Sequence, residues 1–161
     1  MNKKPVTSID VSYNVALITL ENLPDDIRII SEIFTSVSNE NINIDMVSKS
    51  APFKGTVNMS FSLPADDLVR VITLLNNFKD KVDDLIVEVD AYNTKISVFG
   101  EEMKHIPGVA ARLFSALAKK GIEIKLVTTS EVDISCLIVE RDADSAVNSI
   151  KEEFSLLTED N

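Results

Sequence analysis

The chain repeats itself. Val15-Ala16-Leu17-Ile18 returns eighty residues later as Lys95-Ile96-Ser97-Val98, and Ile33-Phe34 as Leu113-Phe114. Asn41-Ile42-Asn43-Ile44-Asp45-Met46-Val47 returns as Gly121-Ile122-Glu123-Ile124-Lys125-Leu126-Val127. The register holds without a gap from residue 15 to residue 47, which marks an internal duplication. A duplicated chain of 161 residues reads as two similar units of roughly 75–80 residues, near the size at which a lone core is only marginally stable.

The residue pattern gives each unit its order of elements. Lys4 to Ser12 reads as a short strand on Val6, Ile9 and Val11, and the β-branched run Val15 to Leu20 as a second strand. Glu21 to Asp26 is expected as a loop, with an aspartate capping the helix that follows. Ile29, Ile30, Ile33, Phe34 and Val37 then recur at helical spacing over Ile27 to Ser38. Asn39-Glu40-Asn41 ends that helix, and Gly121 fills the place of Asn41 in the second copy. Strands are expected over Ile42 to Ser48 and Thr56 to Leu63, joined by a hairpin loop at Ala51 to Gly55. A second helix opens at Pro64-Ala65-Asp66-Asp67, with Leu68, Val71, Ile72, Leu75 and Phe78 as its apolar stripe. Leu85 to Val89 is expected as the closing strand, and Asp90 to Thr94 as a hinge between copies.

The second copy repeats the order: strand 96–99, helix 108–119, strands 122–128 and 132–139, helix 143–154. Ser155 to Asn161 is polar after Leu157 and makes a poor final strand. The expected fold class is therefore α+β: two ferredoxin-like βαββαβ units, each an antiparallel sheet with its helices on one face. The orphan strand near the N-terminus is expected to cross over and complete the second sheet. That places one domain at 13–92 and the other at 5–12 plus 93–157. Apolar residues on the far sheet faces, and open strand edges, point to pairing in a homodimer.

Composition narrows the chemistry. The net charge is −10, so a phosphate backbone is repelled and nucleic-acid binding is not expected. No apolar run reaches the ~18 residues of a membrane span, and the first residues lack the apolar core of a signal peptide. One cysteine, Cys136, rules out an internal disulfide and suits a reducing, cytoplasmic setting. With one histidine and one cysteine, no soft-ligand zinc site is expected. Neither glycine-rich phosphate motif occurs, and no serine has a nucleophile elbow. The carboxylates at helix starts read as caps. No catalytic residue, metal or cofactor is expected.

Two places read as a ligand site. Pro107 and Gly108 close a loop at a helix N-terminus, where a missing Cβ and unbonded N–H groups suit a carboxylate; the alternative is a tight turn that binds nothing. Thr128-Thr129-Ser130-Glu131, at a neighbouring strand end, offers three hydroxyls and a carboxylate to an ammonium group; the alternative is an ordinary polar turn.

At these residues the chain resembles the C-terminal regulatory region of the aspartokinases, a tandem pair of ACT domains, from Pro5 to Phe154. GEEMKHIPGVAARLF (100–114) is similar to the family's G-x-x-M-x-x-x-P-G-V-A-A-R-x-F, and IEIKLVTTSEVDIS (122–135) to its I-x-I-x-x-I-x-T-S-E-x-x-I-S. Asp25-Asp26-Ile27-Arg28 stands where the family has Asp-x-Pro-Gly, Lys49-Ser50 where it has Gln-Asn, and His105-Ile106 where it has Ser-His. The resemblance implies an amino-acid effector, lysine or threonine, held where ACT domains meet, for feedback control of aspartate-family biosynthesis. The kinase motif itself is absent, which implies a separate regulatory subunit or part of a longer kinase, partnered by a kinase domain or catalytic subunit. The effector-binding set nominated is Asp26, Ile27, Arg28 and Lys49 from the first repeat. The second repeat supplies His105, Ile106, Pro107, Gly108, Val109, Lys125, Thr129, Ser130 and Glu131. In this set Arg28 and Lys49 offer an acidic effector as an alternative. An assembly module that dimerises and binds no ligand is the alternative function.

Overall fold

The computed structural model describes residues 3–156. The chain divides into two compact units: residues 14–92, and residues up to 13 together with those from 93 onward. Strands β1 (Ser8–Pro24) and β4 (Ile86–Phe99) each contribute to both units. Each carries a left-handed residue at the boundary, Asn14 (φ 56°) and Tyr92 (φ 63°).

In the unit 14–92, the strands lie in the order β2 (Val47–Lys49), β3 (Thr56–Pro64), β1, β4. β1 and β3 are antiparallel, with Ala16 opposite Leu63, Ile18 opposite Phe61 and Leu20 opposite Met59. Helices α1 (Ile27–Asn39) and α2 (Leu68–Phe78) bury Ile30, Ile33 and Val37, and Val71, Leu75 and Phe78, against Ala16, Ile18, Leu20 and Phe61. Burying each such large aliphatic or aromatic side chain is worth about 1.5–3 kcal/mol. Phe34 meets Phe61 edge-on, with ring centroids 5.4 Å apart. α1 stops where Asn41 turns left-handed at φ 61°.

The other unit repeats the plan. Its strands lie in the order β1, β4, β6 (Asp133–Val139), β5 (Leu126–Thr129), with helices α3 (Val109–Ala118) and α4 (Ala143–Glu153). β6 is antiparallel to both β4 and β5. Ile96, Val98, Leu113, Leu117, Ile138 and Ile150 form its core, joined by fully buried Val6. Thr7 donates its N–H to the Phe99 carbonyl at 2.8 Å. The N-terminal strand thus completes this second sheet, and the α+β, ferredoxin-like class holds.

Several expected boundaries move. The expected strand 4–12 starts only at Ser8 and runs on with the expected strand 15–20 as one β1, which also takes in most of the expected loop 21–26, because Leu23 and Pro24 still lie opposite Val57 and Thr56. The expected strand 42–48 shrinks to β2. The N–H of Asp45 goes to the Ser62 carbonyl and that of Met46 to the Ser62 hydroxyl, so two donors converge on one residue and the ladder starts late. The alternation of burial survives even so: Ile42 and Met46 are buried, while Asn43 and Asp45 are exposed. The expected strand 122–128 likewise begins at Leu126. The hinge expected at Asp90 to Thr94 is strand throughout. Asn93 and Thr94 are fully buried opposite Val139 and Ile138, and Asn93 accepts a bond from Lys125 Nζ at 2.7 Å. Their polar side chains mimic a loop, yet their backbone belongs to the ladder. The expected domain end at residue 157, and the tail beyond it, lie outside the described residues. Among the described residues no helix is long and apolar enough to cross a membrane.

Candidate functional site

After β4 the chain enters a 3-10 turn, Glu101–His105, and then α3. Gly108 is the N-cap of α3, left-handed at φ 85°, a conformation costly for any residue with a Cβ. A Cβ built there meets nothing within 4 Å, so there is open space where a side chain at this position would begin. The first N–H groups of α3 have no carbonyl a turn below them and carry the positive end of the helix dipole. Pro107 and Gly108 are exposed, Ile106 packs against the core, and Val109 is buried in it. His105 is exposed at the end of the 3-10 turn.

One bond ties this loop to the second candidate place. Gly100 N–H donates to the Val132 carbonyl at 2.9 Å, fixing the loop's start to the β5–β6 turn. Thr129, Ser130 and Glu131 are exposed at that turn. The Ser130 hydroxyl accepts from Val132 N–H at 3.3 Å, and its own N–H goes to the Asp133 carbonyl. The turn follows β5, the edge strand, and leads into β6, the neighbour of β4. Both candidate places therefore share one end of the sheet. Lys125 does not join them. It precedes β5 at the opposite end of the ladder, donating its N–H to Leu137 and its ammonium to Asn93.

Gly100 went unread in the sequence as a positioning residue. Its backbone is extended (φ −169°), but a Cβ would lie 1.8 Å from the Pro5 carbonyl oxygen. The glycine lets the segment leading into β1 pass at backbone contact. A lone glycine at a strand end was the available signal. Lys3 secures the same crossing through Glu102 at 2.9 Å. That ammonium, chiefly by its hydrogen bond, holds the Glu102 carboxyl below its usual range.

The first-repeat residues form a separate group in their own unit. Asp26 caps α1: its Oδ1 accepts from Arg28 N–H at 2.9 Å. Arg28 closes back on the same carboxylate, Nε to Oδ1 at 3.1 Å and Nη2 to Oδ2 at 2.9 Å. The side-chain hydrogen bond from Arg28, with its backbone bond, holds the Asp26 carboxyl below its usual range. Lys49 Nζ lies 3.1 Å from Asp25 Oδ1. Ile27 is 75% exposed. The acids and bases of this turn are thus paired with one another.

On the face of the second sheet away from its helices, Ser97 and Ser135 hydroxyls lie 2.7 Å apart, and Ser135 donates to Asp133 at 3.0 Å. Cys136, on the core side, has its thiol pushed up to about 12, chiefly by burial and in smaller part by the Asp133 charge. It is protonated at neutral pH and poorly nucleophilic.

Residues 96–154 match the model of the ACT domain family. An aspartokinase of Bacillus sp. strain MGA3 is 34% identical over 94% of this chain and 37% of its own length. The chain therefore spans little more than a third of that relative. A solved structure of aspartokinase alpha and beta subunits superposes with a TM-score of 0.86 at 31% identity, over 94% of this chain and 99% of that one. The regulatory subunit of aspartate kinase from Thermus thermophilus, in its ligand-free form, gives 0.86 at 26% identity over the same shares.

Proposed function

This chain belongs to the aspartokinase family, as a regulatory portion built of ACT domains, and from that premise we propose that it is the receptor for an amino-acid feedback effector, lysine or threonine. The open left-handed turn at Gly108 carries this reading. The effector's α-carboxylate lies on the first N–H groups of α3, where the dipole and unbonded donors favour an anion. Its ammonium is met by Thr129, Ser130 and Glu131, tied to the same end of the sheet through Gly100 and Val132. Charge-assisted bonds of this kind are the strong ones. Pro107, one residue before the N-cap, fixes its own φ on the way into the turn, and Val109 anchors the helix in the core.

The chain acts in the cytoplasm as a homodimer formed by ACT–ACT pairing. It is read by a kinase domain or catalytic subunit of aspartokinase, which phosphorylates aspartate with ATP. Effector binding favours one arrangement of the paired domains, and the differential affinity for the two arrangements is the regulatory signal.

Calorimetry with lysine, threonine and a panel of other amino acids tests the reading. Binding to one of these two is expected, weakened about tenfold or more (~1.4 kcal/mol or more) in Gly108→Leu. Silence across the panel, with the dimer intact by light scattering, would leave an assembly module instead.

A further inference from the structure

The duplicated turn invites the expectation of two effector sites per chain. The residues equivalent across the repeat are Arg28 and Gly108, since the ungapped register runs from residue 15 to residue 47. In the second unit the backbone at Gly108 is open, with nothing where a Cβ would stand. In the first unit the backbone N–H at the equivalent place, that of Arg28, is already held by the Asp26 carboxylate at 2.9 Å. The helix also begins earlier there. α1 starts at Ile27, whereas α3 starts at Val109, the equivalent of Ile29. Ile27 and Arg28 are therefore helical, whereas their equivalents Pro107 and Gly108 stand outside the helix.

We infer that the first unit is capped by its own carboxylate and takes no amino-acid carboxylate at its turn, so that each chain holds one effector, on the second unit. This rests on the effector reading of Gly108. Asp26 does inside the chain what the effector's carboxylate does at Gly108: it supplies an anionic oxygen to an otherwise unbonded N–H at the positive end of a helix. The Arg28 guanidinium grips both oxygens of that carboxylate from the solvent side, at 2.9 Å and 3.1 Å. An incoming carboxylate would have to displace a tethered one that is already oriented. The tether gives the resident group an effective concentration that a free ligand does not match. Lys49 is no free anchor for an acidic ligand either, because it is paired with Asp25.

The test is a titration of the whole chain with lysine and, separately, threonine, followed by calorimetry and by the backbone amide spectrum. Expected are one equivalent per chain, shifts at the amides of Gly108, Val109 and Ala110, and no shift at Ile27, Arg28 or Ile29. Two equivalents, or an Arg28 amide that moves with the ligand, overturns the inference while leaving the Gly108 reading standing. No heat and no amide shift with either amino acid sinks the Gly108 reading, and the single-effector count with it. Asp26→Ala separates the cap from mere inaccessibility. Its Arg28 amide is expected to respond to ligand, and silence there, while the Gly108 amides still shift, counts against capping as the reason.

Discussion

The two units join their helices with the same pair of charges in opposite order. In the first, Glu32 of α1 meets Lys81 at 2.7 Å, and the Lys81 ammonium lies 5.5 Å from the centre of the Phe78 ring. In the second, Arg112 stands at the place of Glu32. It meets Glu153 at 2.9 Å and lies 4.6 Å from the centre of the Phe154 ring. The cation is on the far side of the helix pair in one copy and the near side in the other, yet each covers a phenylalanine at the end of the second helix. What the fold requires there is a complementary pair and an aromatic floor, not a given sign. The helix entry behaves differently. Asp26 with Arg28 closes it in one copy, and Gly108 leaves it open in the other. Helix pairing tolerates inversion because it needs only net attraction. A ligand turn does not, because it needs empty space.

Four experiments test how far the two units are alike. The largest effect is expected from Gly100→Ala. The added carbon would sit 1.8 Å from a backbone oxygen of the N-terminal strand, which has no rotamer to yield. Destabilisation well beyond the ~1–3 kcal/mol usual for overpacking, and beyond that of either core truncation, is expected in urea melts, whereas a wild-type melt would show that the N-terminal segment crosses elsewhere. Next come the paired truncations Ile33→Ala and Leu113→Ala. Both side chains are almost fully buried at equivalent places, and each truncation should cost about 2–5 kcal/mol. A mild loss in one copy only would mean that the cores are not equivalent.

A smaller effect is expected from the charges between the helices. Glu32→Lys alone sets two ammonium groups together and should cost up to ~1 kcal/mol, as exposed pairs do. Adding Lys81→Glu should restore most of it and reproduce the order found in the second unit. Failure of the double variant to recover would show that the sign does matter. The smallest effect is a pH dependence at Asp26. Its carboxyl is held below the ordinary range when folded, so the unfolded chain binds the proton first. The cap is fully present above the ordinary carboxyl pKa of about 4, and its contribution is lost as pH falls through the folded value. The Arg28 amide resonance, followed from neutral to acid pH, should move only below that ordinary value. A midpoint at or above it would contradict the capping bonds.

Much of this molecule could be read from residue order. The helical spacing of Ile30, Ile33 and Val37 and of Val71, Leu75 and Phe78 places the buried stripes, because a helix has only one face to turn inward. The alternation along Thr56 to Leu63 did the same for β3. Asp26 was legible as a cap, and Pro107-Gly108 as a turn at a helix start. Asp90 to Thr94 was misread, since a polar residue in a ladder looks like a polar residue in a loop until its partners are known. Gly100 was passed over because its reason lies ninety-five residues away, in the Pro5 carbonyl.

Residue order by itself determined the duplication, the two apolar stripes of the first copy, and a glycine at one helix entry against a charged pair at the other. These follow from local periodicity and from the conformational range of single residues. Tertiary structure alone decided that Asn93 and Thr94 pair with Val139 and Ile138 in a ladder, that Lys125 belongs to Asn93 and not to the ligand end, and that Arg28 folds back on Asp26. Each of those depends on which groups the chain brings within bonding distance, and that distance is set by the whole sheet, not by neighbours in sequence.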